Sequence, residues 1–371
     1  MPNTPPKREL LYFATNKEIH DLIIQGPLMY PKEVLLDLTR ARGLFLSPVA
    51  SREELAAEVA LLPFDYASLS SLLGRTQRRQ RAEKLTTETF SQTLKIEDIK
   101  KACDGYASTN VGDEKVTVRQ TQDGRVIATV TYTELDQSKT ELLQRRQREA
   151  EIQFLPGANG TEVRMPFNEK AKEILRDVTQ RINAQASQPV TRRSIEVSHL
   201  TTAKNRTDFF LHLISGIPDF KYNDVTHLKV EVKIAGGKPK PSASAARKAK
   251  DTFVSTIENI AIKGQSLLGS PEYLELTAKG FFITSINWTA RRITSPYEIV
   301  EFAAAFEEGA EGTGFKYNVG NRYPYLESKS SNAKTPQPIP KDEQTSYVAL
   351  LEQTVRDALD QVGGQSDRMS E

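Results

Sequence analysis

The chain has 371 residues, of which 50 are Lys or Arg and 48 are Asp or Glu, for a formal net charge of +2. At this length two or three domains are expected, and the near-zero balance excludes a chain basic all over, so any polyanion site must be local. Mean hydropathy is −0.48 and no apolar run approaches the roughly 18 residues of a spanning helix. A cytoplasmic protein without membrane contact is therefore expected. Its single cysteine, Cys103, fits a reducing compartment, and the scattered His20, His199, His212 and His227 lack the spacing of a structural zinc site.

The first hundred residues read as helices. Lys17–Ile24, Pro31–Ala41, Arg52–Leu62, Tyr66–Leu73 and Leu94–Ala107 carry apolar residues at helical spacing. A longer polar helix is expected between Gly74 and Glu88. Gly43 stops the second helix, and Ser51 with Glu54 three residues on forms a capping box for the third. Leu35, Leu38, Leu55, Val59 and Leu62 can close a small core. Directly after this unit comes a run of cations, Arg75, Arg78, Arg79, Arg81 and Lys84, preceded by Arg40 and Arg42 at the end of the second helix. On a helix, positions 75, 78 and 79 share a face and can meet a phosphate track together.

From Val111 the periodicity changes. VTVRQTQDGRVIATVTY is two alternating runs around Asp123-Gly124, a hairpin signal. Glu151–Leu155 and Glu162–Pro166 form a second hairpin candidate. Asn168–Ala184 is an amphipathic helix capped by Asn168, with Ala171, Ile174, Leu175, Val178 and Ile182 on one face. A strand is expected at Ser194–Ser198, a helix at Thr201–Ser215 and a strand at Val225–Ile234. The stretch GGKPKPSASAARKAK reads as a basic flexible loop carrying Lys238, Lys240, Arg247 and Lys248, suited to a nucleic-acid backbone. Strand-like runs resume at Asp251–Ile262, Gly280–Trp288, Tyr297–Phe306 and Phe315–Asn318. A polar stretch, Ser328–Glu343, precedes a helix at Gln344–Gln361 whose Tyr347, Leu350, Leu351, Val355, Leu359 and Val362 form an apolar stripe. On a polar tether, that stripe can bury against the parent fold, a second copy of the chain or a different partner, and an intermolecular contact is the expectation.

These elements give an α+β fold: a helical N-terminal domain (7–107), an α+β domain (111–236), the basic loop (237–250), a β-rich domain (251–327), a linker (328–343) and a C-terminal helix (344–362). The helix–extended–helix pattern of LMYPKEVLLDLTRARGLFLSPVASREELAAEVALLP resembles a SAP-like module, over roughly 45 residues of the chain. That resemblance implies binding to DNA or RNA. The function expected is accordingly a nucleic-acid-binding accessory or recognition subunit of a bacterial DNA-handling or anti-phage defence complex, with no cofactor.

Two alternatives stand beside it. Pro218-Asp219 followed by Glu231-Val-Lys233 resembles the metal site of PD-(D/E)xK nucleases, which implies Asp219 and Glu231 as Mg²⁺ ligands and Lys233 as the group that positions water. The other alternative is a non-catalytic scaffold. No P-loop, dinucleotide fingerprint or nucleophile elbow occurs. Phe281, Phe282, Trp288, Tyr297, Tyr317, Tyr323 and Tyr325, near Arg291, Arg292 and Arg322, can stack on bases or serve as core or interface residues.

Overall fold

A computed structural model describes residues 14–77, 83–109, 114–158, 160–186, 188–232, 259–264 and 266–368. The fold is α+β and divides into two compact units. One comprises residues 1–81, 107–117 and 129–150; the other comprises 82–106, 118–128 and 151–371.

In the first unit, helices α1 (Asn16–Gln25), α2 (Lys32–Arg40), α3 (Arg52–Ala60) and α4 (Tyr66–Gln77) follow the apolar spacing. The capping box at Ser51 and Glu54 is formed, and a second one, Thr15 with Glu18, opens α1. Gly43 ends α2 at φ 76°, a left-handed conformation that costs glycine little, so that Leu44 N can return to Thr39 O at 3.0 Å. Leu22, Ile23, Tyr30, Leu35, Leu55, Val59 and Leu72 are buried together. The Tyr30 hydroxyl donates to Leu72 O at 2.6 Å, and burial pushes its pKa up to about 12.

The second unit contains an antiparallel sheet in the order β5–β1–β11–β10–β9–β7–β8. These strands are β1 (Leu85–Phe90), β5 (Gly160–Pro166), β7 (Phe220–Glu231), β8 (Asn259–Lys263), β9 (Phe282–Arg292), β10 (Ile299–Glu308) and β11 (Thr313–Tyr323). Both expected hairpins are present. β2 (Lys115–Gln120) and β3 (Val126–Leu135) flank Gly124 at φ 82°, and β4 (Arg145–Gly157) pairs with β5. Helix α5 is Ile96–Thr109, helix α6 is the single turn Glu141–Gln144, and helix α7 (Glu169–Gln185) is capped by the Asn168 side chain accepting from Ala171 N at 2.8 Å.

Where a polar helix was expected before Glu88, the chain is in strand β1 from Leu85. LTTETF is rich in β-branched threonine, which favours a pleated, half-buried surface. The strand expected at Ser194–Ser198 is shorter and earlier, β6 at Arg192–Ser194. Helix α9 (Pro271–Ala278) lies where no element was expected.

One core, rather than separate cores on either side of residues 237–250, serves the second unit. Leu228 and Val230 of β7, Ile286 and Trp288 of β9, Phe302 and Phe306 of β10, and Phe315 and Tyr317 of β11 are buried with Phe209, Phe210 and Leu213 of helix α8 (Ala203–Ser215). The same core takes Tyr347, Val348, Leu351, Val355 and Val362 of helix α10 (Lys341–Arg368). This corrects the expectation that the C-terminal stripe docks on a partner: its apolar face is buried in its own unit. The preceding stretch is not a free tether: β12 (Tyr325–Leu326) pairs with β13 (Ser331–Asn332), β14 (Gln337–Pro338) pairs with β11, and Ile339 joins the core.

A buried ion pair fastens α10 to the sheet. Glu352, 4% exposed, accepts from Arg164 Nε of β5 at 2.7 Å and from Thr87 Oγ1 of β1 at 2.8 Å, and also bonds Arg164 Nη2 and the Tyr317 hydroxyl. Burial raises the Glu352 pKa, but the hydrogen bonds and charge of Arg164, with those of Tyr317 and Thr87, outweigh it and hold the carboxyl below the usual range. A carboxyl depressed in the folded state adds stability above its unfolded pKa and loses it as pH falls through the folded pKa. Glu352→Ala is expected to cost about 3–5 kcal/mol in urea denaturation, because Arg164 is left buried and unpaired. The wild type should show an acid-side loss of stability that this variant lacks. A variant with the wild-type midpoint and pH profile would remove the ion pair as the fastening.

Candidate nucleic-acid interface

The residues expected to form a nuclease site do not share one. Asp219 lies in the turn just before β7, at φ 61°, its carbonyl accepting from Ile293 N at 2.9 Å. Glu231 is the last residue of that same strand. Twelve strand steps at about 3.3 Å set them on the order of 40 Å apart, whereas two carboxylates on one divalent ion each lie about 2–2.6 Å from it. The spacing of the motif assumes a reversal of the chain between the acids, and residues 220–231 make none. Glu231 is instead bonded to Lys229 at 2.6 Å, with its carboxylate against Gly309. Lys233 lies outside the described residues, and among the described residues no cluster of three His, Cys, Asp or Glu is arranged for a metal. Cys103 is buried, which pushes its thiol up to about 12 and removes it as a nucleophile.

Of the expected basic contacts, Arg78, Arg79, Arg81, Lys238, Lys240, Arg247 and Lys248 fall outside the described residues. Arg40 pairs with Asp37 at 3.2 Å on the surface of α2. Arg42 stacks over Phe64, 4.6 Å from the ring centroid, and donates to Leu38 O at 3.2 Å, serving the C-terminal end of α2. Arg75 lies in the last turn of α4, where its charge acts on Tyr30. Lys84, the remaining candidate, is exposed just before β1.

Lys84 belongs to a cluster that sequence reading missed. Phe167 N donates to Lys84 O at 2.7 Å. Lys172 Nζ lies 4.6 Å and Lys316 Nζ 5.0 Å from the Phe167 ring centroid, so one ring seats two ammonium groups. Burial, and after it the charges of Lys84, Lys172 and Lys229, lowers the pKa of Lys316. Each of three lysines has one carboxylate beside it, Glu169 for Lys172 at 2.8 Å, Glu231 for Lys229 at 2.6 Å, and Glu307 for Lys316.

Strand register explains the convergence. Directly opposed residues share a face, and Lys229–Ser285–Ala305–Lys316 form one row across β7, β9, β10 and β11. The adjoining row is His227–Asn287–Ala303–Asn318, and Thr289 opposite Glu301 follows. The residues between them point the other way, as in Leu228–Ile286–Ala304–Tyr317, and are the core that α8 and α10 cover. On the lysine face Ser285, Asn287, Ala303 and Asn318 remain partly exposed. The result is a platform of small and polar side chains with ammonium groups at one end. Lys172 and Phe167 join it because Asn168 starts α7 beside β1, with its Nδ2 donating to Glu83 at 2.6 Å.

No protein-family model matches the chain, and no curated protein matches it.

Gly314 makes room for this arrangement. It sits at φ 69°, and a Cβ there would lie 2.9 Å from Glu307 Cβ and 3.6 Å from the Phe167 ring. Gly314→Ala is expected to cost about 1–3 kcal/mol through the left-handed backbone alone, and to shift the NMR resonances of the Phe167 ring. An unchanged denaturation midpoint with unshifted ring signals would place Phe167 elsewhere.

Proposed function

We propose that this chain binds nucleic acid through its phosphate backbone, on the lysine face of the second unit, and that it does so without cutting it. The observation that carries this reading is the set of lysines at one end of that face: Lys172 and Lys316 lie over the Phe167 ring, Lys84 bonds Phe167 N through its carbonyl, and Lys229 shares the row of Lys316 three strands away. A phosphate arriving at this face would compete for these ammonium groups with the single carboxylates beside Lys172, Lys229 and Lys316. Lysines act as point charges rather than as bidentate readers of base edges, so the contact is independent of sequence. The SAP-like reading of α2 and α3 fits the same function. An accessory role in a DNA-handling or defence complex follows from binding without catalysis.

The test is salt-dependent binding of labelled oligonucleotides to a Lys84→Gln, Lys172→Gln, Lys316→Gln variant. Each neutralised phosphate adds about 0.7–0.9 to the slope of log affinity against log salt, so losing three contacts should flatten it by about 2–3 and weaken low-salt binding by more than about tenfold. Lys279→Gln, which removes a surface pair with Glu275 on α9, should bind as wild type. A triple variant with the wild-type slope would refute the proposal.

A further inference from the structure

The platform has a second end, and its chemistry differs. Ile299 lies six residues from Ala305 along β10, about 20 Å at 3.4 Å per residue. It sits in the row Lys221–Arg291–Ile299–Tyr323, where Lys221 and Arg291 are exposed cations. Beyond this row the chain turns from β9 into β10 through residues 293–298. That turn holds Ile293 58% and Tyr297 49% exposed, although turns usually present small polar residues.

Tyr297 is held there against its backbone preference. Its φ of 55° is left-handed, a conformation that glycine or asparagine adopts readily and a bulky ring does not. The surroundings fix it. Tyr297 N donates to Thr294 O at 2.9 Å, its carbonyl accepts from Asn332 Nδ2 at 3.1 Å, and the same amide reaches Tyr323 O at 3.0 Å. The Tyr325 ring packs edge-on, with centroids 6.0 Å apart and planes at 65°. With the residue 49% exposed, part of the ring stays open to solvent. Backbone strain of this kind clusters at ligand-contacting sites, which singles out this turn for a test.

Between the two ends lies an acid, Glu301. It accepts from the Tyr323 hydroxyl at 2.6 Å, from Asn321 Nδ2 at 3.1 Å and from Asn321 N at 3.2 Å. A fixed carboxylate repels phosphate from the middle of the platform and leaves that stretch to sugars and bases.

Resting on the proposed nucleic-acid reading, we infer that the substrate class of this face is a single strand: its phosphates meet the lysine cluster, and an unpaired base stacks on Tyr297. A duplex keeps its bases stacked on one another and has none to offer to a ring, whereas single strands are bound by cationic grooves combined with aromatic platforms. The span suits roughly four nucleotides, the lower end of the range for such sites.

The test compares oligothymidylate, oligouridylate and a duplex of equal length by fluorescence anisotropy, for the full chain and two variants. Tyr297→Gly suits the left-handed backbone and should fold at least as stably as wild type, which separates binding from folding. It should lose about tenfold in affinity for both single strands and nothing for the duplex. Tyr297→Phe keeps the ring and should bind as wild type. A wild type that prefers the duplex, or a Tyr297→Gly variant with an unchanged ratio of single-strand to duplex affinity, would overturn the inference. In both cases a loss of binding in the lysine variant leaves the broader reading standing. A wild-type chain that binds none of the three probes would overturn both.

Discussion

The buried Arg164–Glu352 pair decides which face of the sheet is available. It joins β5 to α10 from within the core, with Thr87 of β1 and Tyr317 of β11 completing the set of donors. A buried pair gains little over a well-packed apolar replacement, but it tolerates no misplacement, because a charge left unpaired there costs several kcal/mol. It therefore specifies register. α10 can lie on the sheet only where its carboxylate meets Arg164, and that position carries Tyr347, Leu351 and Val355 into the core beside α8. A second buried acid, Glu298, acts similarly at the start of the helix, bonding the Tyr347 hydroxyl and Arg322.

With two helices on one face, the other face of β11, β10, β9 and β7 is left with small and polar side chains. An antiparallel sheet tolerates this, because its alternation lets one side be apolar and the other wet. The lysine cluster is a consequence of the same register. Lys229 and Lys316 stand far apart in sequence and three strands apart in space, and they point the same way only because Ser285 and Ala305 lie between them in phase. A slip of one residue on β7 would bury Lys229 and expose Leu228 and Val230, and one on β11 would bury Lys316 and expose Phe315 and Tyr317.

This separates what was legible in the sequence from what was not. Local signals identified the helices of the first unit, the Gly124 and β4–β5 hairpins, the Asn168 cap and the C-terminal helix, because caps, turns and periodicity are short-range physics. Pairing between distant strands was not legible. β1 was hidden inside a polar stretch, since its six residues carry only two large apolar side chains, Leu85 and Phe90. The stripe on α10 was correctly read as apolar but wrongly assigned to a partner, because amphipathicity states that a face is covered and not by what. The Asp219, Glu231 and Lys233 pattern was a match in spacing whose geometry depended on a hairpin that β7 does not make. Among the candidate cations Lys84 alone pointed to the cluster; Lys172 and Lys316 look in sequence like any solvated lysine.

The two ends of the platform also differ in how they are held, and this bears on their roles. At the lysine end the groups are flexible side chains, and Lys172, Lys229 and Lys316 each have one carboxylate beside them, so charge can be redistributed when a phosphate arrives. At the tyrosine end the geometry is fixed by backbone: the Asn332 amide ties two carbonyls together and Tyr297 is held in a conformation it would not choose alone. A flexible cationic end suits capture, which depends on long-range attraction and weakens with salt. A rigid aromatic end suits selection, since a preformed ring loses little freedom on binding. On this reading the lysines govern whether a strand is held at all, and the tyrosine turn governs which kind of strand stays.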